Sequence, residues 1–191
     1  MTITRKGSFD SAHRVMNEKM KCFNIHGHTY LYELNFSFDY SNLAEIGYVM
    51  DFKEIKRINC QWIDDYLDHA VILNAKDVFM IDAAKKLNSK LYLMQLNGFE
   101  SNGEIAYCNP TVENLAAEIS IVQDYICKNL KTNDALSFDS IVLYETPNCF
   151  CTCKVNEISD ELYFSVLNGK QEQILDFIAQ KGWIEYDDRK Q

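Results

Sequence analysis

His28-Thr-Tyr-Leu-Tyr-Glu-Leu-Asn-Phe-Ser-Phe-Asp39 alternates with a period of two. Tyr30, Tyr32, Leu34, Phe36 and Phe38 fall on one side of an extended chain, and Glu33, Asn35, Ser37 and Asp39 on the other. Only a half-buried β-strand uses that pattern, and its β-branched and aromatic content agrees. Leu31 breaks the polar face, which predicts that this face meets another subunit. Working outward, residues 2–14 alternate loosely and read as a preceding strand. Residues 138–146 and 149–155 read as a closing hairpin that turns at Pro147-Asn148.

Between these strands the period changes to that of a helix. Phe52, Ile55, Ile58 or Arg57, Trp62, Ile63 and Tyr66 line one face of a helix over 51–66, with Asp51 as its N-cap. Segment 110–130 is the clearest helix. Pro110 suits its first turn, Glu113 suits the positive end of its dipole, and Leu115, Ile119, Val122, Ile126 and Leu130 form its apolar stripe. A short helix at 77–88, a strand at 91–97, turns at Asn97-Gly98 and Asn102-Gly103, and a tail helix at 171–181 stopped by Gly182 complete the reading. The order of elements predicts an α+β fold, with an antiparallel sheet and helices on one face.

The chain has 191 residues, 47% of them hydrophobic, which suits one domain with a sizeable core. No apolar run approaches the roughly 20 residues that span a bilayer. Met1-Thr-Ile-Thr-Arg-Lys6 lacks the apolar core of a signal peptide, so a cytoplasmic location and no membrane partner are expected. A net charge of −9 argues against a nucleic-acid partner. Arg5, Lys6, Arg14, Lys19 and Lys21 nevertheless gather near the first histidines in sequence and suit an anionic substrate.

The chain has four histidines, and three of them are His13, His26 and His28. On a strand, the two rings of His26-Gly-His28 point the same way, and glycine between them lets another backbone approach closely. His13 ends the preceding strand and meets them across an antiparallel pair. Three neutral ring nitrogens with an open fourth position form a catalytic zinc pattern. Cys22, four residues before His26, is either a fourth ligand that closes the site or a thiolate base beside the metal; spacing leaves both open. Asp68-His69 suits proton transfer, or a helix end. Glu145 is a carboxylate inside an apolar strand, where a partner is expected unless it faces solvent. Seven cysteines in a reducing compartment read as free thiols. Cys60 and Cys127 fit buried helix positions. Cys149, Cys151 and Cys153 alternate on one strand face but lack the Cys-x2-Cys knuckle of sulfur-bound zinc.

Taken together, Phe9-Asp-Ser-Ala-His-Arg14, Cys22-x3-His26-Gly-His28, Gly47-Tyr-Val-Met-Asp-Phe52, Leu67-Asp-His69 with Leu73-Asn74, Pro110-Thr-Val-Glu-Asn114 and Tyr144-Glu-Thr146 resemble the 6-pyruvoyl-tetrahydropterin synthase / 6-carboxytetrahydropterin synthase family. The resemblance covers roughly 1–75 and 108–153 and takes in every histidine. It implies the tunnelling fold, or T-fold: a four-stranded antiparallel sheet with two helices on one face, assembled as a homohexamer of two stacked trimers. It implies that His13, His26 and His28 hold Zn2+, and that Cys22 is the proton acceptor rather than a ligand. Asp68 and His69 form its relay from an adjacent subunit, Glu145 anchors the pterin ring, and Thr111 and Glu113 flank the pterin pocket. The implied activity is that of a lyase acting on 7,8-dihydroneopterin triphosphate.

Within the family, the three-residue gap between Cys22 and His26 and the Asp51-Phe52 pair resemble the 6-carboxytetrahydropterin synthase branch of queuosine and 7-deazapurine biosynthesis. That enzyme releases 6-carboxytetrahydropterin, acetaldehyde and triphosphate. The alternatives are 6-pyruvoyl-tetrahydropterin synthase and a non-catalytic pterin-binding protein with a closed zinc site. A hydrolase of the His-Glu-x-x-His type has no matching motif. The domain then runs over 1–155 with an insertion at about 75–107, and 156–191 is a C-terminal extension packed on it.

Overall fold

The computed structural model describes residues 1–94, 100–101, 104–105, 109–130 and 136–181. Two twelve-residue strands, β1 (Thr2–His13) and β2 (His26–Ser37), pair antiparallel along their whole length, from Thr2 opposite Ser37 to His13 opposite His26. The aromatic side of β2 is the buried one: Tyr30, Tyr32, Leu34 and Phe36 all lie in the core, while Leu31 is 46% exposed on the open face. On that open face Thr4 donates to Asn35 and Lys6 pairs with Glu33.

Asp51 caps α1 (Phe52–Ile55) as expected, accepting from the Lys53 N–H at 2.8 Å. A π-helical turn, Lys56–Cys60, then separates α1 from α2 (Gln61–Tyr66). The extra residue in that turn rotates the helix surface. Ile55, Trp62 and Ile63 reach the core, whereas Phe52, expected on the same stripe, is exposed. Buried Asn59, within the turn, donates to Gln123 of a later helix at 2.8 Å. β3 (Ala70–Asn74), α3 (Val78–Lys86) and β4 (Leu91–Met94) follow. A short ribbon pairs β5 (Glu100–Ser101) with β6 (Glu104–Ile105). Asn97-Gly98, Asn102-Gly103 and the end of the expected 91–97 strand lie outside the described residues.

α4 (Val112–Asn129) begins two residues later than its sequence suggests, because Thr111 is its N-cap, accepting from Asn114; Pro110 stands just before the helix. Its stripe of Leu115, Ile119, Val122 and Ile126 is fully buried. β7 (Ser137–Thr146) and β8 (Cys149–Lys154) form the predicted hairpin, turning at Pro147-Asn148.

The strands form one sheet in the order β4-β3-β1-β2-β7-β8. Its β1-β2-β7-β8 part is the expected four-stranded antiparallel sheet, and β3 and β4 extend it as parallel strands. β3 pairs only with Ser11–His13, and the Asp10 backbone bonds to Asp68 and His69, so among the described residues Thr2–Phe9 have no strand partner on that side of β1. The last helix, α5 (Asp160–Lys181), is longer than the 171–181 segment that the sequence pattern marks. Asn168-Gly169 interrupts the helical signal, yet Val166 and Leu167 before it and Ile174, Phe177 and Ile178 after it are all buried, which holds one continuous helix. α5 packs on α4, and its last carbonyl, Lys181, accepts from Arg57 at 2.8 Å. Gly182 lies outside the described residues. Among the described residues no helix is long and apolar enough to cross a membrane.

Candidate metal centre and active site

The β1–β2 register builds the centre. His13 is directly opposite His26, and His28, two residues on, is opposite Ser11, so all three rings share the buried face. Gly27 allows this closeness: a Cβ there would sit 3.1 Å from the Ser11 carbonyl oxygen. The ring centroids lie 4.5 to 5.1 Å apart. One ligand atom from each ring lies within 4.8 Å of the other two.

Two backbone carbonyls set the tautomers. His13 Nδ1 is 2.7 Å from the Pro110 carbonyl, and His26 Nδ1 is 2.7 Å from the Asn24 carbonyl. A carbonyl only accepts, so each Nδ1 carries the proton and each neutral ring presents a bare lone pair at Nε2. Those two Nε2 atoms are 3.1 Å apart. Two lone pairs at that distance repel unless a cation lies between them. His28 Nε2 is buried with no hydrogen-bond partner among the described residues. An orphaned buried nitrogen beside two opposed lone pairs fits a divalent metal with a preference for imidazole, zinc above all. Burial lowers the pKa of His13 and outweighs the Pro110 carbonyl, and neighbouring His26 and His28 lower it further. His13 is thus held in the neutral form that metal binding needs.

Glu145 enters from β7. Its Oε1 is 3.7 Å from His13 Nε2 and 3.9 Å from His28 Nε2, so this half-buried carboxylate faces the cluster rather than open solvent. Tyr30 lies beneath, stacked on Phe9 at 4.9 Å, with its hydroxyl 3.4 Å from His13 Nδ1. Burial raises the Tyr30 phenol pKa, and the charges of Glu145 and Cys22 raise it further.

Cys22 lies in a single 3-10 turn, Lys21–Phe23, half-buried, with its carbonyl accepting from the Val15 N–H at 2.9 Å. The metal-capable group among the described residues consists of the three histidines without it. Thr111 uses its hydroxyl to cap α4, directly after the Pro110 carbonyl that holds His13, and Glu113 is exposed in the first turn of that helix. Cys149, Cys151 and Cys153 do not gather: the first is exposed and the others half-buried along β8. Cys60 and Cys127 are buried thiols as expected, and burial pushes Cys127 up to about 12.

Asp68 and His69 are paired but turned elsewhere. Asp68 Oδ2 accepts from His69 Nδ1 at 2.7 Å, and its Oδ1 accepts from the Asp10 N–H at 2.9 Å. Desolvation opposes ionisation of Asp68, but the Asp10 N–H and His69 together hold its carboxyl below the usual range. His69 has φ of 58°, a left-handed conformation that is uncommon outside glycine and marks a held turn. Its N–H donates to the Asp10 carbonyl. Asp10 points to the open face of the sheet and lies three residues, roughly 10 Å, from His13 along β1. The His69 side chain is 78% exposed. The chain therefore does not bring His69 to its own histidine cluster.

Among the basic residues, Lys6 is tied to Glu33 on the open face, seven residues or roughly 23 Å from His13 along β1. Arg5 lies on the same distant part of the strand. Arg14 is half-buried against Asp77, and Lys19 and Lys21 remain exposed in the loop that carries Cys22. The orienting carbonyls of Pro110 and Asn24 escape a sequence reading, because any residue type supplies a carbonyl.

A family model described as 6-pyruvoyl tetrahydropterin synthase matches residues 2–156. The 6-carboxy-5,6,7,8-tetrahydropterin synthase of Rickettsia conorii is 33% identical over 148 residues, which is 77% of this chain and 95% of that protein. The protein of the same name from Haemophilus influenzae is 33% identical over 153 residues, 78% of this chain and 95% of that protein. A catalytic-residue mutant of Plasmodium vivax 6-pyruvoyltetrahydropterin synthase superposes with a TM-score of 0.50 at 19% identity, covering 80% of this chain and 96% of that one. That likeness concerns the fold alone, which is the α+β T-fold. With a match that takes in both strands of the histidine cluster and the Glu145 hairpin, the chain belongs to the 6-pyruvoyl tetrahydropterin synthase family.

Proposed function

We propose that this chain is a zinc-dependent 6-carboxy-5,6,7,8-tetrahydropterin synthase, a lyase that acts on 7,8-dihydroneopterin triphosphate in queuosine or related 7-deazapurine biosynthesis. The observation that carries the reading is the convergence of the His13, His26 and His28 Nε2 atoms, with two tautomers fixed by carbonyls. Relatives named for this activity at 33% identity over most of the chain support the choice of product. The six cysteines within the described residues are free thiols, which supports a reducing compartment such as the cytoplasm.

His13, His26 and His28 hold the zinc. Zinc, when bound, supplies a Lewis acid that stabilises negative charge developing on the substrate side chain. Glu145, held on rigid β7, accepts from the N–H donors of the pterin ring and orients the side chain towards the histidines. Thr111 and Glu113, at the start of α4, flank the ring. Cys22, outside the histidine group, takes a carbon-bound proton as thiolate. The Asp68–His69 pair carries that proton on or off, triphosphate leaves by elimination, and one water supplies the additional oxygen as the bond between the first and second side-chain carbons breaks to release acetaldehyde.

In this reading His69 serves a neighbouring copy of the chain. Its exposure, its fixed pairing with Asp68, and the edges of Thr2–Phe9 and of β8 that no strand among the described residues covers support a homohexamer of two trimers joined edge to edge. Exposed Leu31 on the open sheet face suits the same assembly.

The deciding experiment is incubation with 7,8-dihydroneopterin triphosphate, with the products identified by mass. 6-Carboxytetrahydropterin together with acetaldehyde is the expected result. A 6-pyruvoyl product without acetaldehyde would move the chain to the other branch, and no turnover with zinc bound would reduce it to a pterin-binding protein.

A further inference from the structure

The segment between β1 and β2 carries Cys22 and has little regular structure. Its position is fixed by a few contacts. The Val15 N–H donates to the Cys22 carbonyl at 2.9 Å, and the Met16 N–H donates to Asn109 Oδ1 at 2.8 Å. A further tie is made by Arg14. Its guanidinium carbon lies 4.0 Å above the centre of the Phe23 ring, next to Cys22. The same guanidinium is 3.4 Å from Asp77 Oδ2. Asp77 is almost fully buried and also caps α3, its Oδ1 accepting from the Met80 N–H.

The Arg14 guanidinium thus meets both an aromatic ring and a carboxylate. Arg14 Nε is buried without a hydrogen-bond partner among the described residues. The Phe23 face and the Asp77 carboxylate therefore supply the compensation for burying its charge. A planar guanidinium serves both at once, which an ammonium cannot. Asp77 lies at the start of the long link between β3 and α4, a segment to which the catalytic reading gives no role.

We propose that Asp77, acting through Arg14 and Phe23, positions the turn that presents Cys22 to the zinc site. Asp77 and Arg14 are positioning residues, since neither touches the reacting atoms. The inference rests on Cys22 being the base, and it gives the inserted segment a purpose: it supplies the carboxylate that anchors the turn.

Three variants test it in the zinc-loaded full-length enzyme. Asp77→Asn keeps an N-cap of equal quality and removes the charge. Arg14→Lys keeps the charge and loses the guanidinium that meets both Phe23 and Asp77. Phe23→Leu removes the ring and leaves the ion pair, so the test stands even if either charged variant folds poorly. In each, kcat is expected to fall by about tenfold to a hundredfold, the usual result of misplacing a reacting group by ~1 Å. KM and zinc content are expected to stay unchanged. The Val15 amide, protected by the Cys22 carbonyl, is expected to exchange hydrogen about tenfold faster, while amides of β2 and β7 do not change.

Unchanged Val15 exchange in the folded variants would overturn the clamp, whether or not the chain is a synthase. Faster exchange with unchanged kcat would overturn its positioning role. The two readings fail separately: the identity of the base is tested by Cys22→Ala, and the clamp by exchange measurements that need no turnover.

Discussion

The histidine cluster and the Asp68–His69 pair lie beside the same strand, yet they are built to opposite ends. In the cluster, register and two carbonyls aim three nitrogens at one point on the buried face. In the pair, an Asp10 N–H and a left-handed backbone hold His69 just as firmly, but on the exposed side. Holding a side chain in place costs conformational entropy, roughly 1–2 kcal/mol for the backbone of each residue fixed. An exposed histidine in a left-handed conformation, pinned by the Asp68 carboxylate, suits chemistry performed on something that arrives from outside the chain. In the proposed assembly, the contrast is between what one copy completes by itself and what it offers to another.

The sharpest break between the two regions is metal. His28→Ala removes the histidine nitrogen of the cluster that is buried without a hydrogen-bond partner among the described residues. Zinc content measured by mass spectrometry should fall to background, and turnover with it. Chelation of the parent protein should do the same and lower its melting temperature, since an ion present at about 100 times its Kd stabilises the folded state by about 2.7 kcal/mol. His69→Ala should leave zinc content untouched. Loss of zinc from that variant would join the two regions that the structure separates.

Next in size is Cys22→Ala. Removing a general base costs about 10²- to 10⁴-fold in rate. The structure leaves Cys22 out of the histidine group, so zinc should stay bound while kcat collapses. Zinc loss in this variant would make the thiol a ligand after all.

A mixture then tests the direction in which His69 works. Cys22→Ala and His69→Ala chains are each expected to be inactive alone. Refolded together in equal amounts, about a quarter of the sites should regain both groups if they come from different copies, as random pairing in a closed symmetric assembly requires. No recovery would place His69 in its own chain's site.

The parts of this contrast that were legible in the sequence are those where side-chain identity carries the information. The period-two run Tyr30–Phe38 fixes which face of β2 is buried, and the same parity carries His26 and His28 to that face. The two strands, the β7–β8 hairpin and the α4 stripe follow from the same kind of signal. Other features depend on groups that every residue has. The Pro110 and Asn24 carbonyls set the tautomers, and the Asp10 N–H holds Asp68. The π turn at Lys56–Cys60 shifts the stripe off Phe52, and no residue type announces it. Likewise α5 runs through Asn168-Gly169, because burial on both sides of the glycine outweighs its low helix propensity, about 1 kcal/mol against alanine.

The smallest effect is also the one that resolves the two regions along a single axis, pH. Burial lowers the pKa of His13 in the folded, metal-free protein, whereas in the unfolded chain the ring titrates near its ordinary value of about 6.5. Below that pH the unfolded state takes up a proton that the folded state resists, so stability falls as pH drops. Asp68 behaves in the other sense of charge. Its folded-state pKa is held low, so its contribution is complete above about 4, the ordinary carboxylate value, and is lost only as pH falls through the depressed folded value. Urea midpoints of the metal-free protein should therefore decline in two stages, one beginning near 6.5 and the other below about 4. His13→Asn should flatten the first and leave the second; Asp68→Asn should do the reverse. A single decline that both substitutions remove would mean that the cluster and the pair titrate as one unit, despite facing opposite sides of the sheet.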